Sequence, residues 1–235
     1  MALPKNIRPE YSTTIPSNGR KIKYQPFSVK EEKVLIIAAE SNNPDEVTNA
    51  VTNVLQSCVT SPADFKVEDL ALFDVEYLFL KTRSKSIGEK VKVEVRDPDD
   101  ETCVVKTEIN IDKIGVEKTE GHDPLIKLND DVTVKMRYPD ITFFNDGINL
   151  DSIAASIGLV ARCVSQIIIE EEVYNRADMT DEEIEEWIES LTTSQLNKIM
   201  EFFVTMPKLR HTVTLKNPKT NKNFSVKLEG LQDFF

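Results

Sequence analysis

A chain of 235 residues, 40% hydrophobic and 29% charged, can bury a substantial core without disulfides and has the balance of a globular rather than a disordered protein. Its formal net charge of −11 excludes a general nucleic-acid binder. The longest apolar runs, such as Val34 to Ala39, are far too short to span a bilayer, so no membrane partner is expected.

No cationic segment followed by an apolar stretch opens the sequence, so a secretory leader is not expected. Cys58, Cys103 and Cys163 are odd in number and far apart, with only His122 and His211 to add imidazoles. A tetrahedral zinc site is therefore not expected. Cys58 and Cys163 fall on apolar helical faces and read as buried thiols, in keeping with a reducing compartment.

In chain order, residues 1–27 contain Pro4, Pro9, Pro16 and Pro26 with Asn18-Gly19 and show no apolar period. They read as an extended arm. The arm is basic, with Lys5, Arg8, Arg20, Lys21 and Lys23 against Glu10 alone. A basic arm on an acidic body either docks on an acidic neighbour, a second copy included, or is simply solvated. Residues 28–87 read as helical. Ser28 with Glu31 has the spacing of a capping box and predicts a helix to Glu40. A second helix starts near Asp45, with Val47, Ala50, Val51, Val54, Leu55 and Cys58 on one stripe. A third is predicted from about Val67 to Thr82, and its aromatic stripe calls for burial on more than one side.

The period then changes. Val91, Val93 and Val95 alternate with Lys92 and Glu94, as in a half-buried strand. Turn residues at 97–100 and 129–131 separate further strand-like runs, so residues 88–138 read as one small antiparallel β insert. Residues 139–206 return to helical spacing. Ile153, Ile157, Val160, Val164, Ile167 and Ile168 predict one helix from about Leu150 to Glu172. Thr180 with Glu183 and Thr192 with Gln195 open two more. Residues 207–235 read as a hairpin around Asn217 to Asn221, followed by an apolar tail. The fold expected is α+β: a mainly helical body with a small β insert and a C-terminal β-hairpin.

Chemistry-bearing patterns are scarce. Seven glycines form no phosphate-cradling loop, and no nucleophile elbow or zinc-protease helix is present. Asp97, Asp99, Asp100 and Glu101 cluster, and a divalent-metal enzyme could use such acids. However, no downstream lysine has an acid two places before it, so a solvated hairpin turn explains them better. The stretch Glu170 to Glu189 is strongly acidic but lacks the loop order of a calcium site. It reads as an acidic surface, a candidate receptor for the basic arm. Arg83-Ser84-Lys85-Ser86 reads as cations complementing a helix C-terminus, with a phosphate contact as the alternative.

The run Phe73-Asp74-Val75-Glu76-Tyr77-Leu78-Phe79-Leu80-Lys81-Thr82-Arg83-Ser84-Lys85-Ser86-Ile87-Gly88-Glu89 resembles the central signature of the T-even-type bacteriophage baseplate protein family. Lys33 to Glu40 resembles its first helix, Met136-Arg137-Tyr138-Pro139 its strand exit, and Glu229 to Phe235 its chain end. The resemblance covers roughly residues 27–235. Some similar proteins place paired cysteines in the β insert and the terminal hairpin, whereas this chain keeps Cys103 alone, so no structural metal is expected. The resemblance implies a non-enzymatic structural or assembly protein of the tail baseplate hub, or a hub assembly chaperone absent from the finished virion. It would be found in the host cell cytoplasm during assembly and in the tail baseplate. The expected partners are other hub proteins, with self-association, and no cofactor. Arg20, Lys21, Lys23, Leu231, Phe234 and Phe235 are the expected partner-binding residues, because cations suit an acidic neighbour and aromatic pairs suit interface anchors.

Overall fold

The computed structural model describes residues 6–41, 43–143 and 153–230. The chain forms two compact units: Met1–Glu117 with Lys208–Phe235, and Lys118–Pro207.

The first unit begins with β1 (Tyr11–Thr14) and β2 (Lys21–Tyr24), which pair with β3 (Val59–Ser61) in a three-stranded sheet. Residues 11–24 are thus a hairpin rather than an unpaired arm. Ile22 and Tyr24 alternate with Lys21 and Lys23 and turn inward at 2% exposure each. Gly19, at φ 71°, takes the left-handed turn position that Asn-Gly signals. Helix α1 (Val29–Glu40) opens on a complete Ser28–Glu31 capping box. Helix α2 (Pro44–Cys58) buries Ala50, Val51, Val54, Leu55 and Cys58 along its stripe.

Residues Val67–Asp69 form a 3-10 turn, so α3 (Leu72–Ser86) starts later than the periodicity predicts. It buries Phe73, Val75, Leu78, Phe79 and Leu80, which lie on more than one side of the helix. Strands β4 (Lys90–Asp97) and β5 (Asp100–Asn110) form a ribbon with Val93, Val95, Cys103 and Ile109 buried. Then β6 (Gly115–Glu117) pairs with β11 (Lys208–Lys216), itself paired with β12 (Asn223–Glu229).

The second unit carries a four-stranded antiparallel sheet in the order β10-β9-β8-β7. Its strands are β7 (Leu125–Lys127), β8 (Val132–Met136), β9 (Val164–Ile169) and β10 (Glu172–Asn175). Three helices accompany it: α4 (Ile153–Cys163), α5 (Asp181–Glu189) and α6 (Thr193–Thr205). Both later helices start on complete capping boxes, Thr180 with Glu183 and Thr192 with Gln195. The core joins Val134, Val160, Ile167, Ile184, Ile188, Ile199 and Phe203.

The expectation of a mainly helical body with a small β insert is overturned. The chain is 39% helical and 32% strand, with twelve strands in four sheets and six helices among the described residues. The largest departure lies at residues 164–175. Helical spacing predicts one helix to Glu172, but α4 stops at Cys163 and the chain turns into a strand. Val164, Ile167, Ile168 and Ile169 are β-branched, stiff at χ1 and suited to a pleated surface. Pairing Ile167 opposite Val134 buries both at 3% exposure or less. Glu170, at φ 54°, makes the tight return to β10. Likewise residues 88–138 do not form one insert, since β4 to β6 belong to the first unit and β7 and β8 to the second.

Candidate functional site

Helix α3 carries the longest resemblance run, and its polar residues form a closed network within the first unit. The Tyr77 hydroxyl shares a hydrogen bond of 2.9 Å with Thr13 on β1. Asp74 Oδ1 accepts from the Ser17 amide in the hairpin turn at 3.0 Å. Lys81 Nζ donates to the Asp112 carbonyl and lies 5.2 Å from the centre of the Tyr77 ring. Lys85 pairs with Glu89 at 2.7 Å and with Asp112 at 3.2 Å. Ser84 donates to Asp112 at 2.9 Å, and Ser86 Oγ accepts from the Phe27 amide at 2.9 Å.

The electrostatics follow from this closure. Burial lowers the Lys81 pKa. Burial also pushes the Tyr24 phenol up to about 12. At Asp112 burial acts upward, but the donors Ser84 and Lys85 outweigh it and hold the carboxyl below its usual value. These contacts lie within one unit, so the network fastens the N-terminal hairpin, the entry to α1 and the 110–113 turn onto α3. Lys85 completes this network on Asp112 and Glu89, as expected for a helix-terminal cation.

The acidic cluster is likewise given to structure. Asp97 is 4% exposed, and its two oxygens accept from the Asp99 amide at 2.9 Å and from Asn217 Nδ2 at 2.7 Å. Asp100 accepts from the Thr102 hydroxyl at 2.6 Å and its amide at 3.1 Å, which lower its pKa. Among the described residues no group of three or more His, Cys, Asp or Glu is placed to hold a metal ion. All three cysteines are buried and free, and burial pushes Cys58 to about 11 and Cys163 to about 12.

Of the expected partner-binding residues, Arg20, Lys21 and Lys23 lie on the N-terminal hairpin. Arg20 pairs with Asp64 at 2.5 Å and lies 5.8 Å from the Phe65 ring centre. Lys23 pairs with Glu10 at 2.9 Å, and Lys21 is exposed. Leu231, Phe234 and Phe235 lie outside the described residues. In the second unit, Glu182, Glu185, Glu186 and Glu189 are exposed along α5, and Glu170, Glu171 and Glu172 around the β9–β10 turn. These acids form one outward acidic region of the sequence.

The second unit also holds an open cavity of about 370 Å³ lined by Glu120, Asp123, Lys127, Lys198, Glu201 and Phe202. Its charges are mixed, and Lys198 is used on the Leu128 carbonyl at 2.7 Å. Beside it, His122 bonds Thr205 at 3.0 Å through Nδ1 and the Tyr138 hydroxyl at 3.1 Å through Nε2. Thr205 gives its own proton to the Glu201 carbonyl, so Nδ1 is the donor and Nε2 accepts from Tyr138. Burial lowers the His122 pKa from 6.5, against an opposing effect from Asp123.

An unfolded chain therefore takes up this proton at a higher pH than the folded one. The stability contributed by neutral His122 is present above about pH 6.5 and declines as pH falls below it. Between about pH 7.5 and about pH 5.5, the wild-type unfolding midpoint should fall more than that of His122→Gln. Parallel curves would remove this role for the ring.

Sequence reasoning missed Thr13, Tyr24, Asp112 and Asn217. Alternation in Lys21-Ile22-Lys23-Tyr24 could have revealed the strand, whereas Asn217 meets Asp97 across 120 positions with no local signal.

This chain engages Tyr77, Lys85, Asp97 and Asp112 in holding its own elements together. It belongs to the T4 bacteriophage base plate protein family, whose model matches residues 8–235. The match takes in most of the N-terminal segment that the motif resemblance left outside. No curated protein and no solved structure matches the chain. Family membership makes it a bacteriophage baseplate protein with a structural role. No described helix is long and apolar enough to cross a membrane.

Proposed function

We propose that the chain serves the central hub of the tail baseplate and acts by binding neighbouring hub proteins, further copies of itself included. The observation that carries this reading is the closed network on α3: the signature residues are spent internally, which leaves outward surfaces as the means of action. Arg20 and Lys23 sit in solvent-exposed ion pairs, which are weak and readily exchanged for a partner's carboxylates. Lys21 is exposed beside them, and Leu231, Phe234 and Phe235 supply apolar anchors at the chain end.

The binding takes place in the host cytoplasm during assembly. Deleting the gene should leave infected cells without complete baseplates, and removing residues 231–235 should do the same while the rest of the chain stays folded. Normal particles from both would overturn the proposal. The second reading, a hub assembly chaperone, differs in one measurable respect: its peptides would be absent from purified particles. A metal-dependent enzyme using Asp97, Asp99 and Asp100 is disfavoured, because Asp97 is engaged with Asn217 and the turn.

A further inference from the structure

Helix α1 reads Val-Lys-Glu-Glu-Lys-Val-Leu-Ile-Ile-Ala-Ala-Glu, and its second half is apolar on every side. A helix of that kind is ordinarily enclosed. Here only Ala38 is buried, with Leu35 half-buried against Phe27, Val54 and Cys58. The helix therefore meets its own unit along one narrow side. The opposite side carries Val29, Lys33, Ile36 and Ile37, at the helical spacing of 4, 3 and 1 that puts them together. Val29 is 80%, Ile36 52% and Ile37 53% exposed, and Val34 at the flank is 43% exposed.

Two cations edge this face, and the exposed Glu40 stands at its C-terminal end. Lys30 and Lys33 are exposed and make no ion pair among the described residues. Glu31 is held by the Ser28 amide at 2.7 Å and by Arg8 at 3.7 Å, and Glu40 is engaged within the chain. Against a second α1 in an antiparallel pair centred on this stripe at Lys33, the two lysines would face each other. A homodimer centred on this face is thus opposed by charge.

We infer that the outward face of α1 is a docking surface for a different baseplate protein, which presents an apolar helix or groove edged with carboxylates to Ile36, Ile37, Lys30 and Lys33. The inference rests on the hub-binding reading and goes beyond it by assigning the surface and the chemistry of the partner. The apolar centre supplies contact area, and the two lysines select the partner's sign and register.

The test uses the full chain supplied to infected cells that lack the gene. The variants Ile36→Glu/Ile37→Glu and Lys30→Glu/Lys33→Glu should each lower the yield of complete baseplates at least ten-fold, and Ile36→Leu should not. Unfolding midpoints of the purified variants should stay at the wild-type value, because these side chains lie largely in water. A photoreactive phenylalanine analogue at position 36 should cross-link to a carboxylate-edged apolar segment of another baseplate chain, and one at position 106 should not. Cross-links from position 36 to a second copy, to residues 231–235 of the same chain, or to nothing would overturn the inference. Normal assembly by the glutamate variants, when gene deletion abolishes it, sinks the α1 surface alone; normal assembly after deletion sinks the hub reading and this surface with it.

Discussion

Asn217→Ala should lower the stability of the chain by about 3 kcal/mol, the size expected when a buried hydrogen bond to a charged group is lost and its partner stays buried. Asn217 is 1% exposed and works in several directions at once. Its Nδ2 donates to Asp97 at 2.7 Å, and its Oδ1 accepts from the amides of Lys219 at 2.8 Å and Thr220 at 3.1 Å. Its backbone amide donates to the Lys222 carbonyl at 2.9 Å, closing the turn between β11 and β12. The alanine variant leaves a 4%-exposed carboxylate without its side-chain donor and strips two turn amides of their acceptor. Denaturant unfolding of wild type, Asn217→Ala, Asp97→Ala and the double variant gives the coupling directly. A coupling near zero, or a single-variant loss below about 1 kcal/mol, would show that the turns hold without this bridge.

Phe203→Ala should be at least as costly, at about 3–5 kcal/mol. The ring is 1% exposed in the core of the second unit and meets Phe202 edge-on, with centroids 5.2 Å apart and planes at 85°. Ile184, Ile188 and Ile199 belong to the same buried cluster. Truncation removes the transfer free energy of the ring and leaves a void that α5 and α6 can only partly close. Phe203→Leu keeps most of the volume and should recover more than half of the loss, as measured by the same unfolding midpoints. Equal losses for alanine and leucine would point to ring geometry rather than volume as the stabilising factor.

How far the sequence discloses this molecule depends on the range of the interaction concerned. Capping is settled within four residues, so Ser28 with Glu31, Thr180 with Glu183 and Thr192 with Gln195 mark three helix starts unaided. The apolar stripe of α2 is equally local. Residues 150–172 are not, because Ile157, Val160, Val164 and Ile167 satisfy a helical period while the branched run from Val164 also suits a strand. Pairing with Val132–Met136 decides between them, and that strand lies some thirty residues earlier. The N-terminal hairpin was hidden by four prolines that read as an arm, although Ile22 and Tyr24 already alternated with lysines.

The candidate site was legible in a different measure. The α3 signature stands out as a motif, yet nothing local says that its hydroxyls and cations are consumed by Thr13, Phe27 and Asp112. The aspartate cluster shows its acids but not the distant amide that engages one of them. The exposed face of α1 was the opposite case: Val34 to Ala39 is an unbroken apolar run within a predicted helix, and only the structure shows how little of it the chain covers for itself.

The proposed function requires this chain to hold on to other baseplate proteins. Affinity purification of the tagged full chain from infected cells, with protein ratios followed by quantitative mass spectrometry through the infection, measures that property itself. Hub proteins recovered with it in a fixed ratio as tails mature are the expected result. Recovery of the chain alone at every time, while complete baseplates accumulate around it, would contradict the account.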